Sequence, residues 1–539
     1  MTDHLAPPPT DEAHDHIIIG GGTAGCILAE ALSRSGRERV LLIEAGGEPR
    51  SPWIRIPAGF YRLLTNRHYN WGFHSEAEPA TGNRVIAIPR GKGLGGSSLI
   101  NGMIWVRGQP RDYDEWNIPG WGWADLLPHL RALEDWSGPD PDGLRGRGGP
   151  LPIHEVVEQI PLGQAFIDAV AADGHPDNPD YNGTSQEGAG WYQLNQGRGE
   201  RWSAERAFLA PARGRPNLGV MTESRVTRIV IENGRAIGVE VIRAGERRLH
   251  RARQIILSAG AIQSPQLLEL SGIGDPARLQ ALGITPIVNN PGVGENYHDH
   301  FCTRMNWRAD HAVTLNEETR GWRLAANVAR YALQRRGALT YGTGLAHAFL
   351  RSRDDLDRAD VQYFFMHASY ANAAERRLHD FPGMTLGVSQ LRPRSRGSIH
   401  AVSPDITVQP RIAPNFLDAD EDRRVMVAGM KLGRRIMERS PMDAYRVHEM
   451  QPGPACETDA DWLDFARANG QTIYHAGGTC RMGTDAGSVV DADLCVRGVE
   501  GLRVVDASVL PTTVSGNIQA AVMAVASRAA EKMGAKAAG

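Results

Sequence analysis

The sequence predicts an α/β fold of the βαβ kind, its main sheet assembled from discontinuous segments, joined to a second domain of mixed pattern. Three observations carry this. A strand–helix–strand unit opens the chain, a buried strand followed by a helix recurs near residue 254, and α/β character returns after residue 502. The segments between these pieces have no single periodicity and are left to form the second domain.

The elements follow in order. His16-Ile-Ile-Ile-Gly20 is a short apolar run that stops at glycines, the pattern of a buried parallel strand. Residues 23–33 carry Ala24, Ile27, Leu28, Ala31 and Leu32 at helical spacing, and residues 39–44 form a second strand. Together they make a βαβ unit. Residues 139–216 are rich in Gly, Pro and Asp and read as loops with short elements. Strand alternation over residues 226–231 runs into a hairpin turn at Asn233-Gly234. Residues 254–260 read as a buried strand before a helix at 264–270. From 301 to 456 the pattern is mixed, with strand-like runs at 361–366 and 384–389. A strand at 502–506 and an Ala- and Met-rich helix at 517–533 close the chain.

The chain has 539 residues, enough for two large domains, and its 41% hydrophobic and 22% charged content is that of a globular protein. Net charge is −3, with both signs mixed along the chain, so neither a nucleic-acid footprint nor a polybasic membrane patch is present. Five widely spaced cysteines without a CxxC argue against a disulfide framework or a zinc site and fit a reducing compartment. The polar, proline-rich start has no apolar core of a signal peptide, and no window is long and apolar enough for an integral membrane segment. A cytoplasmic location is expected.

Gly20-x-Gly22-x-x-Gly25 sits between the first strand and helix. The first glycine allows a tight turn, the second lets backbone approach a pyrophosphate, and the third lets helix pack on strand. The helix N-terminus at Thr23 and Ala24 offers free N–H groups to phosphates. Glu44, followed by Ala45, ends the second strand, where a carboxylate can accept from a ribose diol. This is a dinucleotide site; the motif alone does not separate FAD from NAD.

Further segments separate them. Gly91-Lys-Gly-Leu-Gly-Gly-Ser-Ser-Leu-Ile-Asn101, continuing through Trp105, resembles the first signature of the glucose–methanol–choline (GMC) oxidoreductases. Gly260-Ala-Ile-Gln-Ser-Pro through Gly274 resembles the second. Pro291-Gly-Val-Gly-Glu-Asn-Tyr-His-Asp-His300 is similar to another family segment. His475-Ala-Gly-Gly-Thr-Cys-Arg-Met-Gly483 and the stretch from Val505 to Asn517 resemble the catalytic region. The likeness runs from His16 onward in the right order, toward choline dehydrogenases and bacterial alcohol oxidoreductases.

The resemblance implies a Rossmann-like FAD-binding domain in three parts (14–155, 216–300 and 459–539) and an α+β substrate domain with an antiparallel sheet in two (156–215 and 301–458). It implies that Gly91, Gly95, Gly96, Ser97 and Asn101, with Gly102, Met103 and Ile104, wrap the flavin. Asp506 and Ala507 are expected near the pyrophosphate, Val226 near the adenine by backbone contact, and Ala259 at the cofactor. Some relatives attach flavin covalently through a histidine in the first signature. The matching position is Ile100, so FAD is expected to be non-covalent.

Removing hydride from an alcohol also requires taking the hydroxyl proton, and histidine suits that role near neutral pH. His475 matches the family's base and Asn517 its partner, whose amide can hold the substrate oxygen. Asn517, Ile518 and Gln519 open the last helix, whose amides are expected at the flavin pyrimidine edge. Met103, Trp105, Phe365, Ile473 and Tyr474 are candidate pocket walls, which would favour an aromatic or aliphatic primary alcohol; a choline-like cation would need an aromatic cage or carboxylate not evident in the sequence. His298 and His300 could pair on a metal but lack a third ligand, and they read, with His68, His74 and His347, as packing or surface residues. The acceptor is expected to be oxygen, a quinone or a redox protein, a quinone placing the chain peripherally at the inner membrane. The alternative is a hydroxynitrile lyase on the same fold, with FAD doing no redox work.

Overall fold

The structure, a computed structural model, describes residues 13–372 and 377–535. Most of the proline-rich start lies outside the described residues.

β1 (His14–Ile19) is buried over its last four residues, as a strand covered on both faces must be. α1 (Thr23–Ser33) follows, and β2 (Val40–Ile43) returns parallel to β1 with Leu41 opposite Ile17. Within the Gly- and Pro-rich stretch, α2 (Pro161–Ala172) is a 12-residue helix where only short elements were expected. Pro161 supplies a preset first turn, and Leu162, Phe166 and Val170 recur at helical spacing on its buried face. β3 (Gly188–Trp191) comes next and joins a distant sheet.

β4 (Leu218–Met221) pairs with β2. β5 (Ser224–Glu232) and β6 (Arg235–Arg243) form the expected hairpin, with Asn233 and Gly234 at φ 50° and 77° as its two-residue turn requires. β7 (Glu246–Leu257) is longer than the expected strand. Its charged first half pairs antiparallel with β6, and its apolar end runs parallel to β1. α3 (Gly260–Leu270) starts four residues before the expected Ser264. The reason is a cap from far away: the Asp506 carboxylate accepts from the Gly260 N–H and the Ser264 hydroxyl.

The second sheet holds β8 (Phe301–Ala309), β9 (Ala346–Leu350), β10 (Val361–Met366) and β11 (Gly383–Gln390). α4 (Asp420–Met437) packs on it before β12 (Arg446–Gln451) and β13 (Gln471–Thr472) complete it. Its order is β12-β8-β11-β10-β9-β3, antiparallel throughout, with β13 on β8. Gly429 and Gly433 let α4 sit close: a Cβ at either would come within 3.0–3.1 Å of side chains on β10 and β11. α2 covers the same face, its Phe166 stacked on Phe365 at 4.7 Å.

β14 (Leu502–Val504) pairs parallel with β7, and α5 (Gln519–Lys532) follows. The first sheet therefore reads β4-β2-β1-β7-β6-β5, with β14 beside the end of β7. It is an α/β sheet built from the start, middle and end of the chain. The open face of the second sheet looks toward it across a cavity.

Candidate active site

The cavity is lined from one end by the loops after β1, β2 and β7 and from the other by the open face of β8, β10 and β11. Gly20, Gly22, Thr23, Ala24, Glu44 and Ala45 line its first end. Gly91, Gly96, Ser97, Asn101, Gly102, Met103 and Ile104 form a side wall. Val226, Ala259, Asp506, Ala507, Ile518 and Gln519 close around it, and His475, Asn517, Ile473 and Tyr474 stand where it meets the second sheet.

Two of the expected flavin residues stand behind the wall. A Cβ on Gly25 would lie 1.9 Å from the Gly20 carbonyl oxygen, so Gly25 is where α1 crosses β1. Gly95 holds a left-handed turn, φ 106°, against Leu99. Two expected pocket walls are corrected. Phe365 points to the opposite face of β10, onto Phe166, while its neighbours Phe364 and Met366 line the cavity. Strand side chains alternate between faces, so a one-residue misreading moves a wall residue into the core. Trp105 is fully buried and donates its indole N–H to Glu134 at 2.6 Å. His68, His74 and His347 do not line the cavity. Asn517 precedes α5, whose first helical residue is Gln519.

Glu44 is more than a ribose acceptor. Its Oε2 accepts from the Gly21 N–H at 2.8 Å, and its Oε1 from the N–H groups of Gly46 and Gly93 at 2.7 and 3.1 Å. One carboxylate thus pins three loops. With about four lone-pair sites on a carboxylate, Oε2 keeps one for a ligand hydroxyl. A Cβ on Gly22 or Gly260 would meet nothing within 4 Å, so backbone at both points faces free space in the cavity. The buried amide nitrogen of Gln519 has no hydrogen-bond partner within the protein. Bare backbone at a helix N-terminus, an acid suited to a diol and an unused amide donor fit FAD.

At the other end, His475 is buried and its Nε2 lies 3.2 Å from Asn517 Nδ2. Its Nδ1 lies 2.9 Å from Nδ1 of His300, whose Nε2 lies 2.9 Å from the Leu391 carbonyl. A carbonyl only accepts, which puts the His300 proton on Nε2. His300 Nδ1 must then accept, so His475 carries its proton on Nδ1, and its unprotonated Nε2 accepts from the Asn517 amide N–H. Burial pushes His300 down to about 4. Burial, then the charges of His300 and Arg90, holds His475 well below the usual histidine range. Both rings are neutral near pH 7. The reading of His300 as a packing residue is therefore corrected: it fixes the tautomer of His475. Its place in a His-x-His pair was the signal, but it pointed to a metal, and among the described residues no cluster could hold one.

The backbone bearing His475 is held in an unusual shape. Tyr474 sits at φ 74° and Met103, across the cavity, at φ 64°, each costing roughly 1–3 kcal/mol. Asp299 stabilises the loop, accepting from the His475 N–H at 2.8 Å, the Tyr297 hydroxyl at 2.9 Å and the Thr472 hydroxyl. Burial raises the Asp299 carboxyl to about 6 despite these donors. Arg90 donates to the Tyr474 carbonyl from the other side. Gln362 on β10, not evident from sequence, reaches Asn517 Oδ1 at 3.3 Å and leaves Asn517's nitrogen for His475.

A proton acceptor and an amide at one end of a dinucleotide-shaped cavity define a class, a flavin-dependent oxidoreductase acting on alcohols. The family profile described as GMC oxidoreductase matches residues 14–302 and 393–526, and the chain belongs to that family. It is an FAD-dependent alcohol oxidoreductase. The alcohol dehydrogenase (acceptor) of Pseudomonas putida is 37% identical over 531 residues, 96% of this chain and 95% of its own. The oxygen-dependent choline dehydrogenase of Vibrio vulnificus is 38% identical over 526 residues, 96% of this chain and 94% of its own. The pyridoxine 4-oxidase of Mesorbium loti superposes with a TM-score of 0.88 at 32% identity, covering 97% of this chain and all of that one. Among the described residues no helix is long and apolar enough to cross a membrane.

Proposed function

We propose that the chain oxidises a primary alcohol to its aldehyde, with His475 as base and Asn517 as the group that holds the reacting oxygen. The supporting observation is the unprotonated Nε2 of a neutral His475 meeting the Asn517 amide N–H at 3.2 Å, a donor and an acceptor on which an alcohol oxygen and its proton can settle together. His475 takes the hydroxyl proton at Nε2. Asn517 steadies the negative oxygen that develops. His300 keeps the His475 proton on Nδ1, out of the way. FAD, when bound, would supply the hydride acceptor for the alcohol carbon.

FAD is held without a covalent bond, since Ile100 occupies the position where a histidine attaches it in some relatives and lines the cavity without a nucleophilic atom. The glycine-flanked residues that line the first end, with Val226, Ala259, Asp506 and Ala507, hold the dinucleotide. Met103, Ile473 and Tyr474 border the substrate. The chain divides into FAD-binding segments 14–155, 216–300 and 459–539 and substrate segments 156–215 and 301–458. It works in the cytoplasm, with oxygen or a quinone-type acceptor closing the cycle.

Purified holoenzyme mixed anaerobically with a panel of primary alcohols tests this. Bleaching of the visible flavin band is expected. A band unmoved by every alcohol would overturn the reading and favour the lyase. Peroxide release in air separates an oxidase from a dehydrogenase.

A further inference from the structure

The substrate end of the cavity carries a positive charge and, among the described residues, no acid to match it. Arg304 lies on β8 and lines the cavity. It is in register with Gly387, which is in register with Phe364, so the three form one row across the open face of the second sheet. The next row is Cys302, Ser389 and Gln362, and Gln362 touches Asn517. Arg304 therefore stands about 7 Å along the sheet from the row at the reaction centre.

Its surroundings make it a recognition group. No carboxylate of the described residues pairs with Arg304; its hydrogen-bond partner is the Gln471 amide oxygen, turned toward the guanidinium. Tyr61, Tyr370, Tyr474 and Cys302 line the same cavity. The two acids that line the cavity, Glu44 and Asp506, are at the dinucleotide end and already hold backbone N–H groups. Arg107 and Arg145, by contrast, are buried against Glu134. An arginine on an apolar, aromatic wall without a counter-charge is costly to keep unless a ligand supplies one.

Resting on the alcohol-oxidation reading, we propose that the substrate is a primary alcohol bearing a carboxylate, its anion paired with Arg304 and its hydroxymethyl group at His475 and Asn517. A carboxylate matches the planar guanidinium fork, and one guanidinium balances one negative charge. A carboxylate needs only Arg304, whereas a phosphate dianion would call on a second cation as well; Arg90 also lines the cavity, its Nη1 donating to the Tyr474 carbonyl. The aromatic and apolar residues of the open face suit a flat body between the two ends. A quaternary ammonium alcohol meets a like charge here instead of the acid or cage it needs. The hydroxymethyl group loses its proton to His475 and its hydride to FAD, leaving an aldehyde with the carboxylate untouched.

The test uses holoenzyme and three alcohols: 4-(hydroxymethyl)benzoate, 4-methylbenzyl alcohol and choline. The acid is expected to bleach the flavin with kcat/KM at least about 10-fold above the neutral analogue, and choline to be poorest. R304Q should lower kcat/KM for the acid by about 10- to 100-fold, mainly through KM, and change the neutral alcohol less than about 3-fold. R304K should recover part of the loss. Benzoate, which cannot react, should shift the flavin spectrum of the wild type and bind at least about 10-fold more weakly to R304Q. Preference for choline or the neutral alcohol, or equal losses on all three in R304Q, would overturn the proposal. If no alcohol bleaches the flavin, the alcohol reading fails, and benzoate binding still decides the role of Arg304.

Discussion

The two ends of the cavity are built from different materials. The dinucleotide end is made of backbone: Gly22 and Gly260 face free space, and Glu44 gathers three loops by their N–H groups. The substrate end is made of side chains on an antiparallel sheet, where Arg304, Phe364 and Gln362 reach inward and Phe365 reaches outward. A site made of backbone tolerates changes of side chain and fails when a Cβ is added. A site made of side chains behaves the other way round.

Substitutions can break that contrast. The largest effect is expected at the substrate end: His475→Ala should keep the visible flavin band and slow anaerobic bleaching by about 10²–10⁴-fold. In the wild type, kcat/KM should be flat near neutrality and fall as pH drops through the lowered His475 value, because the base works only when unprotonated. A midpoint above about 7 in a pH–rate profile would contradict the neutral pair. Next comes the backbone end. Gly25→Ala forces a Cβ to within 1.9 Å of the Gly20 oxygen and should cost about 3 kcal/mol, read as a lower melting temperature and lost flavin absorbance. Asp299→Asn replaces one carboxylate oxygen with an NH2 group, opposite either the His475 N–H or the Thr472 and Tyr297 hydroxyls, and should reduce kcat/KM about 10-fold with flavin retained. Smallest is Val226→Ala: the proposed contact to the dinucleotide is through backbone, so flavin affinity should move less than about 2-fold by equilibrium titration. A larger loss would show that the dinucleotide end relies on side chains after all.

The same contrast explains what could be read from the sequence. Glycine spacing announces backbone geometry, so the turn at Gly20–Gly25 and the stretch at 91–101 are legible in the sequence. Apolar runs such as Ile17–Ile19 announced the parallel strands. The charged half of β7 did not, because a strand exposed on a hairpin lacks the apolar run that marked its other half. α4 was missed because Gly429 and Gly433 weaken the helical signal, although they are what lets it sit against the sheet. Phe365 was misplaced because the choice between it and Phe364 depends on register, which the pairing of β10 with β11 decides. His300 meets His475 across 175 residues of chain, and no local pattern records which ring nitrogen faces which.

The sheet's order also sets a timetable. β1 and β2 leave the ribosome early, yet β14, the last neighbour of β7, spans residues 502–504. At translation speeds of about 5–20 residues per second, β7, complete at residue 257, waits roughly 12–50 s for that neighbour. Flavin loading is thus an event of the finished polypeptide, and a prematurely terminated chain carries a half-walled groove and a bare strand edge.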